Sequence, residues 1–448
     1  MTANARLDGS ARGLAAAVLL LGAAGCSVIP ASLPGSGPAL ERYREAVGAM
    51  RTGGRPPAPS DPGPRLVAEV LQRILMSHVA PPDPQRLVDR AIEGLRATGR
   101  DTPGAGDRAL TLGAIGAMLA SLDPYSAFLD AEHLRDMRAL MHGERPGFGI
   151  GEVTDRRAGP RRVVASGDGM PAAQATVRFR SVMSWLDGGV AYTRIAHFDE
   201  QTARLLREAL ESLRRQGGDT LAGLVLDLRD NPGGLFEQGI MVAGAFLGPV
   251  EIVSTRGRAH GEQHLHGDAG GDRTDGLPMV VLIDGGTSSA AEVVAGALQD
   301  HRRALLFGAR SYGKGTVQTI FPLPGGEGLR LTTAHSFRPS GASMECFGIT
   351  PDLEIMPPGR LLPPALRPAD RKTERGPRAC DPGGAAPPPP PRRRTLAELC
   401  PEHAGALPWP GVDGPLECAF AALRGRRVGA GAAAPALMGK DPSVPPEG

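Results

Sequence analysis

Metal-ligand spacings are absent from this sequence. Its five cysteines include no C-x-x-C pair and its ten histidines no H-E-x-x-H pattern, so no zinc, no other metal and no cofactor is expected. Aromatic residues are scarce, at 4%, and no long basic block is interleaved with them; 50 basic against 48 acidic residues leave a net charge of +2, which gives no reason to expect nucleic acid as a partner. The apolar run near the start, Leu14 to Leu21, is too short to span a bilayer.

That short run follows Arg6 and Arg12 and suits the h-region of a signal peptide, which predicts export. It ends in Gly22-Ala23-Ala24-Gly25-Cys26, small residues before a cysteine, as in the lipobox of bacterial lipoproteins. Cys26 is therefore the expected lipidation site, and the expected location is the periplasm, with the chain anchored to the membrane. Ala23 stands where a lipobox usually has leucine, and ordinary cleavage nearby is the alternative. Beyond Cys26 remain Cys346, Cys380, Cys400 and Cys418. An even count in an exported chain is compatible with two disulfides, with three pairings open.

At 448 residues, with 62 glycines and 43 prolines, the chain is too long for one ordinary core and holds long irregular stretches. After the signal peptide, 1–26, residues 27–62 read as a linker around one short helical stretch. Helical spacing over Leu66 to Ile74 and Arg86 to Leu95, broken by Pro81, Pro82 and Pro84, predicts an N-terminal helical module over 63–142. Glycines at 143, 147, 149 and 151 surround short β-like pieces in 143–180. From 181 to 357 strands alternate with helices, which predicts an α/β unit with a largely parallel, covered sheet. Residues 358–448, rich in Pro, Arg and Ala, read as a mostly disordered tail.

Asp284-Gly285-Gly286-Thr287-Ser288-Ser289-Ala290-Ala291-Glu292 joins a buried strand to a helix. Free N–H groups and the helix dipole at that turn can stabilise a tetrahedral oxyanion, so a serine there is placed as a nucleophile. The same Ser289-x-x-Glu292 spacing is that of a capping box, the plainer alternative. A serine nucleophile needs a base, and Lys314 stands between Gly313 and Gly315 in a chain whose other basic residues are overwhelmingly arginine. Burial would disfavour its ammonium form and make it a base near neutral pH. Gly308 to Lys314 also matches the first seven positions of a phosphate-binding P-loop, but Gly315 stands where Ser or Thr is required and a β-like run follows.

These segments, with Ala117 to Ser126 and Leu226 to Gly234, carry a resemblance. From about Leu66 to Ile355 the chain resembles the C-terminal processing (tail-specific) peptidases, which are Ser-Lys serine endopeptidases. The resemblance implies a crotonase-like catalytic core and a catalytic triad of Ser289, Lys314 and Gln318. It implies an oxyanion hole from the backbone N–H of Ala290 with that of Gly233 or Gly234, and protein or peptide substrates, unfolded or C-terminal. It leaves adaptors and homo-oligomers open. It also implies a PDZ module, here shortened: Gly147 to Ile150 and Val163 to Ala175 resemble parts of one, while the groove helix is missing before Thr176. Cleavage is accordingly expected to depend less on a free substrate C-terminus. His197 and His335 are read as structural. A catalytically silent peptide-binding relative of the same fold is the alternative from another function class.

Overall fold

The structure, a computed structural model, describes residues 36–50, 54–145, 153–155, 159–161, 177–178, 180–355 and 413–428. The signal peptide, Cys26, Cys380, Cys400, Gly147 to Ile150 and Val163 to Ala175 lie outside the described residues. The described chain divides into two compact units, one running up to Leu75 and over Pro82–Leu122, the other holding Met76–Pro81 and the chain from Asp123 on.

The first unit is helical: α1 (Ser36–Met50), α2 (Pro62–Ser77), α3 (Pro84–Asp101) and α4 (Asp107–Ala120). Asp83 caps α3 by accepting the Gln85 N–H at 2.9 Å, and Pro84 takes the first helical position, where no N–H is needed. Helices α3 and α4 approach closely at two glycines; a Cβ on Gly94 would lie 2.4 Å from the Gly113 carbonyl oxygen. Helix α1 packs on α3 and buries Tyr43, so the stretch read as part of a linker belongs to this unit. The unit also ends at Leu122 rather than at 142.

The second unit continues with β1 (Ala127–Leu129), α5 (Ala131–Met141), β2 (Glu144–Arg145), β3 (Val153–Asp155), β4 (Gly159–Arg161), β5 (Val177–Arg178), β6 (Val182–Asp187), β7 (Val190–Ile195), α6 (Thr202–Gly217), β8 (Gly223–Asp227), α7 (Phe236–Leu247), β9 (Glu251–Gly257), β10 (Gly261–His266), β11 (Met279–Ile283), α8 (Ala290–Asp300), β12 (Leu305–Gly308), β13 (Thr316–Pro322), β14 (Gly328–Phe337), β15 (Leu353–Glu354) and α9 (Gly414–Val428). The fold is mixed α/β. Six strands form a sheet in the order β15-β12-β11-β8-β7-β6, parallel except for the β6–β7 hairpin. A second sheet, β1-β14-β9-β10 with β13 also on β14, is antiparallel.

Every residue of β8 and β11 is buried, as expected of strands covered on both faces. Alternate side chains sort to opposite sides. Leu224, Leu226, Val281 and Ile283 meet α6, α7 and α8, whereas Val225, Val280 and Leu282 meet Phe420 and Leu423 of α9. Fully burying Phe420 and Leu423 contributes about 1.5–3 kcal/mol each, which is why part of the presumed disordered tail is helical. Cys346 and Cys418 are both disulfide-bonded. No helix among the described residues is long and apolar enough to cross a membrane.

Candidate active site

Strand β11 delivers the chain to the serine turn, and the turn is held from both sides. The Asp284 carboxylate accepts the N–H groups of Gly286 and Asp230, and Thr287 Oγ1 donates to the Leu228 carbonyl while accepting the Asp284 N–H. Thr287 and Ser288 are buried, and Ser289 alone of the three hydroxyl residues reaches the surface. Ser289 adopts φ 56°, ψ −118°, a strained conformation that costs about 1–3 kcal/mol and persists only where neighbours over-determine it.

The decisive neighbour is Glu292, fully buried on the first turn of α8. Its Oε2 accepts the N–H of Ser289 at 2.9 Å and the N–H of Lys314 at 2.9 Å. Its Oε1 accepts the Ser311 hydroxyl at 2.5 Å and the Gly313 N–H at 2.6 Å. Ser311 Oγ in turn accepts the Ile349 N–H, so its own proton points at the glutamate. One carboxylate thus ties the serine turn to the lysine loop, with the two backbone nitrogens no more than two hydrogen-bond lengths apart. Burial raises the Glu292 pKa against the lowering effect of these donors. The Glu345 carboxylate extends the clamp by accepting the Gly315 N–H at 2.7 Å.

Lys314 is partly buried, and burial lowers the pKa of its amine. Arg330 acts in the same direction; Glu345, Glu292 and Asp123 oppose it. The net shift is downward, toward the neutral amine, the form that can accept a proton.

The strand-to-helix loop after β8 completes the site. Asn231 Oδ1 accepts the Gly233 N–H, its Nδ2 donates to the Ile195 carbonyl, and its own carbonyl accepts the Ser288 N–H. Gly233 has φ 93°, and a Cβ there would lie 2.8 Å from Ser289 Cβ and 3.1 Å from the Ala290 nitrogen. Only glycine leaves that space open. The N–H groups of Ala290 and Gly234 have no acceptor among the described residues. Upstream, the fully buried Asp227 accepts from Tyr192 Oη, Arg194 and Arg229, and both Arg229 Nη atoms bind Asp413 at the start of α9.

With that geometry in view, the carboxy-terminal-processing protease of Bartonella bacilliformis is 36% identical over 347 residues, which is 65% of this chain and 74% of that protein. The chain belongs to the carboxy-terminal-processing proteases. The profile of Peptidase family S41 matches residues 189–355, the stretch that carries Ser289, Glu292 and Lys314. The carboxyl-terminal-processing protease of Synechocystis is 38% identical over 183 residues, 40% of this chain and 41% of that protein. A solved photosystem II D1 C-terminal processing protease is similar at 24% identity, with a TM-score of 0.48 over 74% of this chain and all of that one. As a carboxy-terminal-processing protease, the chain is a serine-type peptidase that acts on protein substrates.

Not every residue expected in the site meets its partner. Gln318 stands on β13 beside a register shift, and its Nε2 donates to Thr316 Oγ1 at 2.9 Å; it makes no hydrogen bond to Lys314 among the described residues. His197 lies beside Asp199, with Nε2 3.3 Å from Oδ2. His335 pairs with Thr316 across β13 and β14, and burial lowers its pKa. The spacing alone reads Glu292 as a capping-box partner, and the sequence pattern places Asp123 to Ser126 in the helical module, whereas they fall in the second unit. The signal for Glu292 was available: a capping-box glutamate whose strand-to-helix turn is followed by a second glycine-flanked loop.

Proposed function

We propose that this protein is a cell-envelope serine endopeptidase of the C-terminal processing type, acting through Ser289, Lys314 and Gln318. Neutral Lys314 Nζ takes the proton of Ser289 Oγ as Oγ bonds to the scissile carbonyl carbon. The N–H of Ala290, with that of Gly234, is the donor pair for the developing oxyanion, because the Gly233 N–H is already given to Asn231 Oδ1. The lysine ammonium then gives its proton to the leaving amine nitrogen as the C–N bond breaks, leaving an acyl-Ser289 ester. Water, deprotonated by the same amine, releases the acyl group and restores Ser289. The observation that carries this reading is the shared Glu292 Oε2, which binds the backbone of both reactive residues. Gln318 is assigned the orienting role in the triad, a role that requires its amide to leave Thr316 Oγ1.

The finer architecture belongs to the same reading: a crotonase-like core over 181–357, a shortened PDZ-like segment over 143–180, and a lipid anchor on Cys26 that holds the chain at the periplasmic face of a membrane. Labelled β-casein as an unfolded substrate tests the chemistry. Wild type should cleave it, while Ser289→Ala and Lys314→Ala should each lose about a thousandfold or more in kcat. Rapid quenching and intact mass measurement should trap an acyl adduct on the wild-type serine. Cleavage persisting in either variant overturns the assignment.

A further inference from the structure

Four charged groups act on the Lys314 amine from the elements around it: Glu292 on α8, Glu345 in the segment after β14, Asp123 ahead of β1, and Arg330 on β14. Three of the four are carboxylates, which favour the protonated amine. His335, opposite Thr316, adds a further titratable side chain nearby. Charge alone would therefore hold the lysine as an ammonium, and exclusion of water has to outweigh it.

The group lying over the amine is Tyr125, whose ring centroid is 5.1 Å from Lys314 Nζ. That is within the range at which an aromatic face attracts an ammonium, so the ring favours the neutral amine only through the water it excludes. The ring is not free to drift. Asp123 Oδ1 accepts the N–H groups of Tyr125 at 2.7 Å and Ser126 at 2.9 Å and the Thr332 hydroxyl at 3.0 Å. Its Oδ2 accepts the Ser126 hydroxyl at 2.6 Å and meets His78 Nε2 at 3.0 Å. The Tyr125 carbonyl accepts Arg330 Nε at 2.9 Å, so the turn is fastened to β14 at Arg330 and Thr332.

We propose that Tyr125 is a positioning residue for the general base: its ring walls the Lys314 amine off from water and sets the direction of Nζ, and the Asp123 turn exists to hold that ring in place. The proposal rests on the reading of Lys314 as the base.

The test is the pH profile of β-casein cleavage by the full-length protein and by its Tyr125→Ala, Tyr125→Leu, Tyr125→Phe and Lys314→Ala variants. Activity requires the neutral amine, so kcat/KM rises with pH through the lysine pKa. Tyr125→Ala admits water, stabilises the ammonium and should move this rise about one pH unit to the alkaline side, costing about tenfold in kcat/KM below it. Tyr125→Leu keeps the site dry but loses the ring face that attracts the ammonium, so it should lower kcat and leave the rise at its wild-type position or slightly to the acid side of it. Tyr125→Phe should recover both the wild-type position of the rise and most of the rate. If Tyr125→Ala does not fold, the Leu and Phe pair decides: equal kcat in those two overturns the proposal. So does a Tyr125→Ala profile that coincides with wild type while Lys314→Ala is inactive. Activity retained in Lys314→Ala sinks the base assignment itself, which is a different failure.

Discussion

Two fully buried carboxylates flank this site, and they are satisfied in opposite ways. Glu292 receives three backbone N–H groups and one hydroxyl, all neutral, and burial raises its pKa. Asp227 receives a tyrosine hydroxyl, the Arg229 backbone N–H and two guanidinium groups, and although burial alone would raise its pKa, the Arg229 hydrogen bonds and charge lower it. Charged partners stabilise a buried carboxylate more than neutral ones do. The difference follows from location. A fixed guanidinium bridging Glu292 and Lys314 would compete for the hydrogen-bonding positions that align serine and lysine, whereas Asp227 lies one loop away and can be built for rigidity alone.

If Glu292 is a coupling element and Asp227 a structural one, their variants should fail differently. The largest effect is expected from Glu292→Ala, which leaves the N–H groups of Ser289, Gly313 and Lys314 buried and unpaired. It should cut kcat about a thousandfold, or ~4 kcal/mol in the transition state. Wild-type kcat in that variant would end the distinction.

Asp227→Asn should instead destabilise the fold by about 3–5 kcal/mol in urea unfolding, because Arg229 loses its buried counter-charge. The surviving folded fraction should cleave at a rate much nearer wild type. Next comes Gly233→Ala, whose added carbon would press on Ser289 Cβ in a backbone conformation that disfavours a side chain. A loss of about a hundredfold in kcat is expected if that space houses the oxyanion.

The smallest effect sharpens the contrast most. The depressed pKa of Asp227 means its stabilisation is complete above the ordinary carboxylate range and is lost as pH falls. The raised pKa of Glu292 means its contribution grows as pH falls and the folded protein takes up a proton. From pH 7 to about pH 4 the stability deficit of Glu292→Gln should widen, while that of Asp227→Asn should hold and narrow only as pH falls below about 4. Parallel trends in urea midpoints would show that the two carboxylates are alike after all.

Much of this was legible in the residues. The runs Leu224 to Leu228 and Val280 to Ile283, with amphipathic helices between, predict the covered parallel sheet, and the serine and lysine loops are where strand-to-helix and glycine-flanked segments put them. The antiparallel sheet was less legible, since β10 is a largely polar edge and β14 carries a register shift against β13. Helix α9 escaped notice because Phe420 and Leu423 lie within a stretch of alanine, glycine and proline, where composition outweighs periodicity. Tyr125 falls outside the unit that local pattern predicts for it, because its turn follows a helix in sequence but is fastened to β14 through Arg330 and Thr332, far away in the chain. Hydrogen bonds of that kind leave no local periodic trace.

The shared acceptor atom on Glu292 has a consequence for how such a catalyst tolerates change. Spacing between nucleophile and base is set by the Glu292 carboxylate, by the Tyr312 N–H donated to the Thr287 carbonyl and by the pairing of β12 with β11, so the connection can vary in length only where it leaves the core. Extra residues at the exposed Arg302 turn should therefore leave the reacting pair in register.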